Sequence, residues 1–499
     1  MTAPGRPALD EEAAGPQPTL VRSLGAWDGA LITIGGTVGS GIFLTTGDIA
    51  RGLPHPALIL LLWVAGGLYA MAGALTYSEL GAMFPRAGGQ YHFLKEAYGR
   101  VWGFLFGWTS FLVIMTAGIS AIAVGFGEYL GAFVPAFSSG SELLLLSLGS
   151  LHWTVRGPQL AGALAIVLLT AVNWLGVREG ALVQNAATAL KVAALVVLVV
   201  IGLAVPPTAA PAWSAALPRQ GLIAGLGLGM VAVLWTYDGW YVLTFSAGEM
   251  RRPERSLPRG LIGGVAVVAA LYLAINWVYV RALGPAELGR SERIGEAAAA
   301  ALLGPGAARA VSVVILLSMF GCLAANVLCC ARIYLPMAQD GVFFRSLARV
   351  DPRHRTPSAS LLAQGAWGVA LALSGTYREL YTAVVFAGAL FHAASAGAVF
   401  VLRKKRPEDP RPYRAWGHPW VTGAFIGVCL GLVAVTLVQA PLRSLLGLLL
   451  IASGLPAYAW WSRRTGSVPV ASQTWRLSAR NPLEKRVSKE RGRGRSTEN

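Results

Sequence analysis

The sequence predicts an all-α polytopic membrane protein of about 12 transmembrane helices, and three observations predict it. Of the 499 residues, 55% are hydrophobic and only 13% charged, with a mean hydropathy of +0.56. The apolar residues come in blocks long enough to cross lipid, for which about 20 residues suffice. Two of these blocks, five spans apart, are broken by glycine and polar residues at corresponding places.

Twelve candidate spans begin near Trp27, Ala57, Trp102, Gln159, Leu182, Gly221, Leu261, Ala308, Ala359, Glu379, Val421 and Leu442. At about 20 residues each they take up roughly half of the chain and leave no room for a large soluble domain. The run ELLLLSLGSL, Glu142 to Leu151, is too short to span and is expected to be an interfacial piece of the loop after the third span. The expected organisation is a disordered amino terminus (1–23), a transmembrane domain (24–463) and a basic, disordered tail (464–499). The opening MTAPGRPALDEEAAGPQP has no apolar stretch after a basic start, so no cleavable signal peptide is expected.

Twelve spans place both termini on one side of the membrane. Of the 41 lysines and arginines, 31 fall on the side of the termini and nine on the other. The positive-inside rule therefore puts both termini in the cytoplasm, and the expected location is the plasma membrane. The net charge of +17 is dealt out loop by loop, without an aromatic-interleaved basic surface, so it does not point to nucleic acid. The tail from Arg476 to Arg495 is suited to anionic lipid headgroups. Cys322, Cys329, Cys330 and Cys429 all fall within apolar spans and read as small core residues. The six histidines show no metal-ligand spacing; no metal, cofactor or catalytic residue is predicted, nor an enzyme.

The first broken span carries IGGTVGSGIF, Ile34 to Phe43, with four glycines in seven positions. Each should weaken a helix by roughly 1 kcal/mol relative to alanine. One reading is close helix packing through Gly35-x-x-x-Gly39. The other is an unwound segment whose freed backbone groups bind a ligand near the midplane. The sixth span supports the second reading, because Trp235-Thr236-Tyr237-Asp238-Gly239-Trp240 interrupts it at the corresponding place. A break at Gly39-Ser40-Gly41 exposes N–H groups and the positive end of a helix dipole, a receptor for a carboxylate. A break after Trp235 and Thr236 offers carbonyl oxygens to an ammonium group. Donors on one wall and acceptors on the other describe a zwitterion, an α-amino acid.

IGGTVGSGIF, PRAGGQYHFLKEAYG (Pro85 to Gly99), LWTYDGW with GEMRRPERSLPRG (Gly248 to Gly260), and ARIYLPMAQDGVFFRSLARVDPRHRTP (Ala331 to Pro357) occur in that order. Together they resemble the amino acid-polyamine-organocation transporters, most closely the L-type amino acid transporter branch, from about Trp27 to Trp461. The resemblance implies two inverted five-helix repeats plus two peripheral helices, moving L-amino acids by alternating access. It implies that Thr37, Val38, Ser40 and Gly41 hold the carboxylate, with Gly39 in the same break. Trp235 would be an aromatic gate, and Thr236, Asp238 and Gly239 would lie beside the substrate. Eukaryotic members of that branch join a glycoprotein through a cysteine in the loop between helices three and four; Phe133 to Arg156 contains none, so no disulfide-linked heavy chain is expected.

Lys191 lies inside the fifth span, where a charge costs roughly 2.5–3.5 kcal/mol by insertion scales. Snorkelling to the interface is the bland reading, and a depth of about ten residues into the span disfavours it. The resemblance implies instead that a lysine here replaces a sodium ion, so transport is expected to be sodium-independent. Asp238 is either a ligand for a cationic side chain or the N-cap of the second half of helix six, and the capping role is preferred. Glu249 with Arg251, Arg252 and Arg255, and Asp340 with Arg332 and Arg345, are candidate ion pairs at cytoplasmic helix ends. Trp27, Trp153, Trp213 and Trp461 are expected to anchor the interfaces. The expected function is secondary transport of L-amino acids by exchange or proton coupling. The alternatives are a cationic amino acid or polyamine carrier, and an amino-acid-sensing receptor without net transport.

Overall fold

The computed structural model describes residues 22, 24–86, 88–148, 151–175, 178–206, 221–348, 351 and 357–465. Nearly all of both predicted terminal segments, 1–23 and 464–499, lie outside the described residues.

The first span is two helices, α1 (Ala26–Thr37) and α2 (Gly41–Gly52), bent by 44° at their break. The second is α3 (Pro56–Met83), which starts on a proline, whose missing N–H costs nothing in a first turn. A short α4 (Gln90–Tyr98) leads to α5 (Arg100–Thr109), which runs through a π-helical turn, Ser110–Ile114, into α6 (Met115–Leu130). Then come α7 (Gly157–Leu175), α8 (Arg178–Ala204) and α9 (Leu222–Tyr237), the last followed by a 3-10 stretch, Val242–Glu249. The second half continues with α10 (Pro253–Arg290), α11 (Ile294–Leu303), α12 (Pro305–Gln339), α13 (Ser358–Ser374) and α14 (Tyr377–Lys405). A capping box starts α14: Thr376 Oγ1 accepts the Glu379 N–H at 3.4 Å and Glu379 Oε2 accepts the Thr376 N–H at 3.2 Å. The chain finishes with α15 (Trp420–Gln439), α16 (Pro441–Ala452) and α17 (Gly454–Thr465).

Each of the twelve predicted spans begins in or beside one of these helices. Among the described residues, nine helices are long and apolar enough to cross a membrane, and the bent pair makes ten. The other two predicted spans are α13 and the apolar part of α8, Thr188–Ala204, both shorter than 18 residues.

The packing is reciprocal. The first span packs on the sixth (α2 on α9), the second on the seventh (α3 on α10), the third on the eighth (α6 on α12) and the fourth on the ninth (α7 on α13). The fifth also packs on the eighth (α8 on α12), as the tenth does on the third (α14 on α6). Two interlocked five-helix repeats produce this exchange of roles, with α15 to α17 outside them.

The run after the third span folds as a hairpin in which β1 (Glu142–Leu148) pairs antiparallel with β2 (Leu151–Arg156), Leu146 opposite Trp153. The ion pair Arg156–Glu142, at 3.3 Å, joins its two ends. Leucines followed by Gly-Ser and the β-formers of HWTVR carried that signal. The Trp461 ring meets Phe104, Trp108, Phe343 and Phe344 at 5.0–6.2 Å. Trp27 is 75% exposed, as an anchor should be; Trp153 is exposed but donates its indole N–H to Leu373 O at 2.9 Å, and Trp213 lies outside the described residues.

Candidate functional site

The helical hydrogen-bond pattern of the first span stops at Thr37 and resumes at Gly41. Val38 has an extended ψ of 90°, which turns its carbonyl out of the ladder. Among the described residues, the N–H groups of Gly39, Ser40, Gly41 and Ile42 have no backbone acceptor, so four donors converge at the start of α2.

The sixth span breaks in the same way. Its first helix ends at Tyr237, Asp238 is extended, and Gly239 has φ +95°, a conformation that only glycine enters freely. The two breaks touch through backbone. A Cβ on Gly41 would stand 2.5 Å from Thr236 Oγ1 and 2.9 Å from Thr236 Cα, and one on Gly36 would be 3.3 Å from Gly239 O. Gly36, Gly41 and Gly239 permit this close approach, while Gly39 and Ser40 lie where the helical ladder is interrupted.

Lys191 is 2% exposed and does not snorkel. Its ammonium donates to Gly35 O at 2.6 Å and Val38 O at 2.7 Å, two carbonyls that the break leaves free. A second clamp comes from α10, where the Tyr272 hydroxyl lies 2.9 Å from Thr37 O and 3.1 Å from Thr236 O and so ties one broken helix to the other.

A cavity of about 40 Å³ lies between the breaks. Of the predicted residues, Thr37, Gly39, Ser40, Gly41, Trp235, Thr236, Asp238 and Gly239 line it, joined by Cys322 and Asn326 from α12. Val38 is fully buried and does not, contributing only its carbonyl to Lys191. The Thr37 hydroxyl proton is committed to Thr33 O at 2.7 Å, and Trp235 O already accepts the Asp238 N–H at 3.0 Å. Trp235 is buried, donates its indole N–H to the Tyr377 hydroxyl oxygen at 2.9 Å and stacks on Tyr381, and the Tyr377 hydroxyl in turn meets Ser40 Oγ at 3.3 Å.

The preferred role of Asp238 is corrected. It is the residue that closes α9; the 3-10 stretch beyond begins after Tyr241, with no side-chain cap. Its carboxylate lies 3.9 Å from His392 Nε2. Among the described residues its side chain makes no capping hydrogen bond to a following backbone N–H.

Residues 24–452 match the family model described as amino acid permease. The chain belongs to the amino acid permease family. Similar proteins include the serine/threonine exchanger SteT of Bacillus subtilis, 29% identical over 90% of this chain and 98% of the relative. The b(0,+)-type amino acid transporter 1 of Homo sapiens is 30% identical over 88% of each chain. The large neutral amino acids transporter small subunit 2 of Mus musculus is 27% identical over 92% of this chain and 85% of the relative. This permease is thus a multi-pass membrane transporter of amino acids and not an enzyme.

Charge clusters flank the permease's cavity at both ends, with partners other than those the sequence suggested. At the α2 end, Asp48 receives Arg51, Arg378 and the Tyr381 hydroxyl, the last at 2.8 Å. At the opposite end Glu249 pairs with Arg332 at 3.3 Å, not with the neighbouring arginines 251, 252 and 255. Asp340 takes Lys95 and the Tyr91 hydroxyl instead of Arg332 or Arg345. Burial, helped by the Asp340 carboxylate, holds the Tyr91 hydroxyl well above its ordinary range, so it serves as a neutral donor. Sequence reasoning also passed over Asp48, Tyr272, Tyr377 and His392. For Asp48 and His392 the signal was available, an ionisable group in or at the end of an apolar span. For the two tyrosines, aromatic residues in apolar helices carry no such mark.

Proposed function

We propose that this permease moves L-amino acids by alternating access around the paired helix breaks, independently of sodium. The observation that carries the proposal is the Lys191 ammonium, seated on Gly35 O and Val38 O at 2.6 and 2.7 Å. Carbonyls freed by an unwound helix are where a coupling cation would bind in such a fold, and the lysine supplies that charge from the protein itself. The substrate carboxylate is assigned to the free N–H groups from Gly39 to Ile42, with Thr37, Ser40 and Gly41 forming the cradle and Val38 behind it, its carbonyl on Lys191. Its ammonium is assigned to the second lone pairs of the Trp235 and Thr236 carbonyls. Trp235, held by Tyr377, closes over it, and Asp238 and Gly239 flank the side-chain end.

Several finer points belong to the same reading. Exchange fits the relative named an exchanger, whereas the receptor and polyamine alternatives draw no support from the relatives' names. Cytoplasmic termini follow from the 31-to-nine distribution of basic residues, and the plasma membrane is the location assigned with them. The basic tail rests on anionic lipid, and nucleic acid has no place in the function. One relative is named a small subunit; here Cys322, Cys329, Cys330 and Cys429 are all buried, and the loop where a heavy chain would attach has no cysteine, so the permease works without a disulfide-linked partner.

The test is counterflow in sodium-free proteoliposomes loaded with unlabelled leucine, serine or arginine, following entry of the labelled compound. Accumulation without sodium, lost at least about tenfold in folded Lys191→Gln, is the expected result. Removing the ammonium leaves two buried carbonyls unsatisfied, each at roughly 1–3 kcal/mol. A strict requirement for sodium would overturn the role of Lys191.

A further inference from the structure

Asp238 borders a second pocket as well as the first, and His392, from the middle of α14, lines that second pocket. The histidine is 6% exposed and held by side chains from two other elements. Its Nδ1 lies 2.9 Å from the Tyr77 hydroxyl of α3, which accepts a hydrogen bond from Gln90 Nε2 of α4 at 2.8 Å. Gln90 also donates to Ser395 Oγ at 3.2 Å. Because the Gln90 amide donates to the Tyr77 oxygen, the hydroxyl proton is free to go to Nδ1. A neutral His392 then carries its own proton on Nε2, the nitrogen that faces Asp238 Oδ1 at 3.9 Å.

The other groups around the ring do not compete for this role. Tyr77, from α3, and Tyr241, just beyond α9, meet it at 6.0 and 4.7 Å. Trp240 and Phe425, from α15, complete its walls at 5.7 and 6.4 Å, and Tyr69 shares the pocket while hydrogen-bonded to Cys429. Tyrosine and cysteine ordinarily titrate near 10 and 8.5, well above histidine. Among the described residues, Asp238 is thus the carboxylate that the imidazole faces, and imidazole is the side chain whose unperturbed charge change falls between pH 5 and 8.

We propose that His392 is a specificity-determining residue that sets the charge at the side-chain end of the site. Protonated, it cancels Asp238 and the pocket favours a neutral side chain. Neutral, it leaves the Asp238 carboxylate free to pair with a cationic one. His392 acts through Asp238 and is a positioning residue. The proposal rests on the assignment of substrate to the helix breaks, and by reciprocity a cationic substrate expels the proton from His392.

The experiment measures competition by arginine and by leucine against labelled leucine, in sodium-free counterflow at pH 5.5 and 7.5. Arginine's potency relative to leucine should rise at least about fivefold with pH in the wild type. In His392→Gln it should be the same at both values and equal to the wild-type level at pH 7.5. Should that variant not fold, Tyr77→Phe, which removes the hydroxyl held at Nδ1, should lower arginine's relative potency at pH 7.5, and an unchanged ratio at both pH values overturns the inference. Counterflow with a ratio that ignores pH, or a His392→Gln variant that keeps the wild-type dependence, overturns this inference alone. No counterflow with any amino acid in folded wild-type protein overturns the transport reading and this one with it.

Discussion

At the scale of single residues, the site is made by what glycine lacks. Gly41 sits where a Cβ would press on Thr236 at 2.5 Å from Oγ1 and 2.9 Å from both Cα and Cβ. Gly41→Ala therefore forces the two broken helices apart, an overpacking that costs about 1–3 kcal/mol. Counterflow should fall at least about tenfold while the protein remains folded by size-exclusion chromatography. Gly427→Ala on α15, where a Cβ would have nothing within 4 Å, is the control and should transport normally. Equal activity in the two variants would sever the helix contact from transport. The lysine and the glycines work together, since glycine permits a break that only a cation on the freed carbonyls makes stable in lipid.

At the scale of elements, the cavity lies between two sets of ion pairs that join different helices. Glu249, at the end of the 3-10 stretch after α9, holds Arg332 of α12, and the Arg332 guanidinium also lies 3.8 Å from Cys329 Sγ. Cys329 is 7% exposed behind this pair. Glu249→Gln should loosen the contact and raise severalfold the rate at which a membrane-impermeant thiol reagent labels Cys329 from the side of the termini. An unchanged labelling rate would show that this pair does not close that end. Partner choice here was not legible in the chain. Nearby arginines at 251, 252 and 255 were the obvious candidates for Glu249, but side chains adjacent along a turn do not face one another as those of two packed helices do.

At the scale of the whole molecule, the peripheral helices are tied to the repeats by one buried carboxylate. Glu79 of α3 is 1% exposed and accepts Arg403 Nε at 3.0 Å, Arg403 Nη2 at 2.7 Å and the Ala415 N–H at 2.7 Å, with Arg411 Nε 3.6 Å away. Arg403 belongs to α14, while Arg411 and Ala415 belong to the segment leading into α15. Glu79→Gln strands two arginines around a neutral amide. A loss of roughly 3 kcal/mol is expected, at the low end for a broken buried pair because Arg403 is partly exposed. The melting temperature in detergent should drop by several degrees, and an unshifted melt would remove Glu79 from the joint.

The chain by itself determined the elements and the address of the site. Lipid demands long apolar helices whose backbones satisfy themselves, so IGGTVGSGIF and WTYDGW, which cannot, announced the breaks, and Lys191 announced a buried role. That much is local composition read against a uniform solvent. The closure of α9 by Asp238 and the meeting of Tyr272, Tyr377 and His392 with the breaks belong to the tertiary structure alone. Tyr77 and His392 are 315 positions apart, and Ser40 and Tyr377 337 apart, yet each pair is within hydrogen-bond reach. Such contacts depend on how two five-helix repeats interlock, a geometry set by the packing of every helix at once and marked at no single residue.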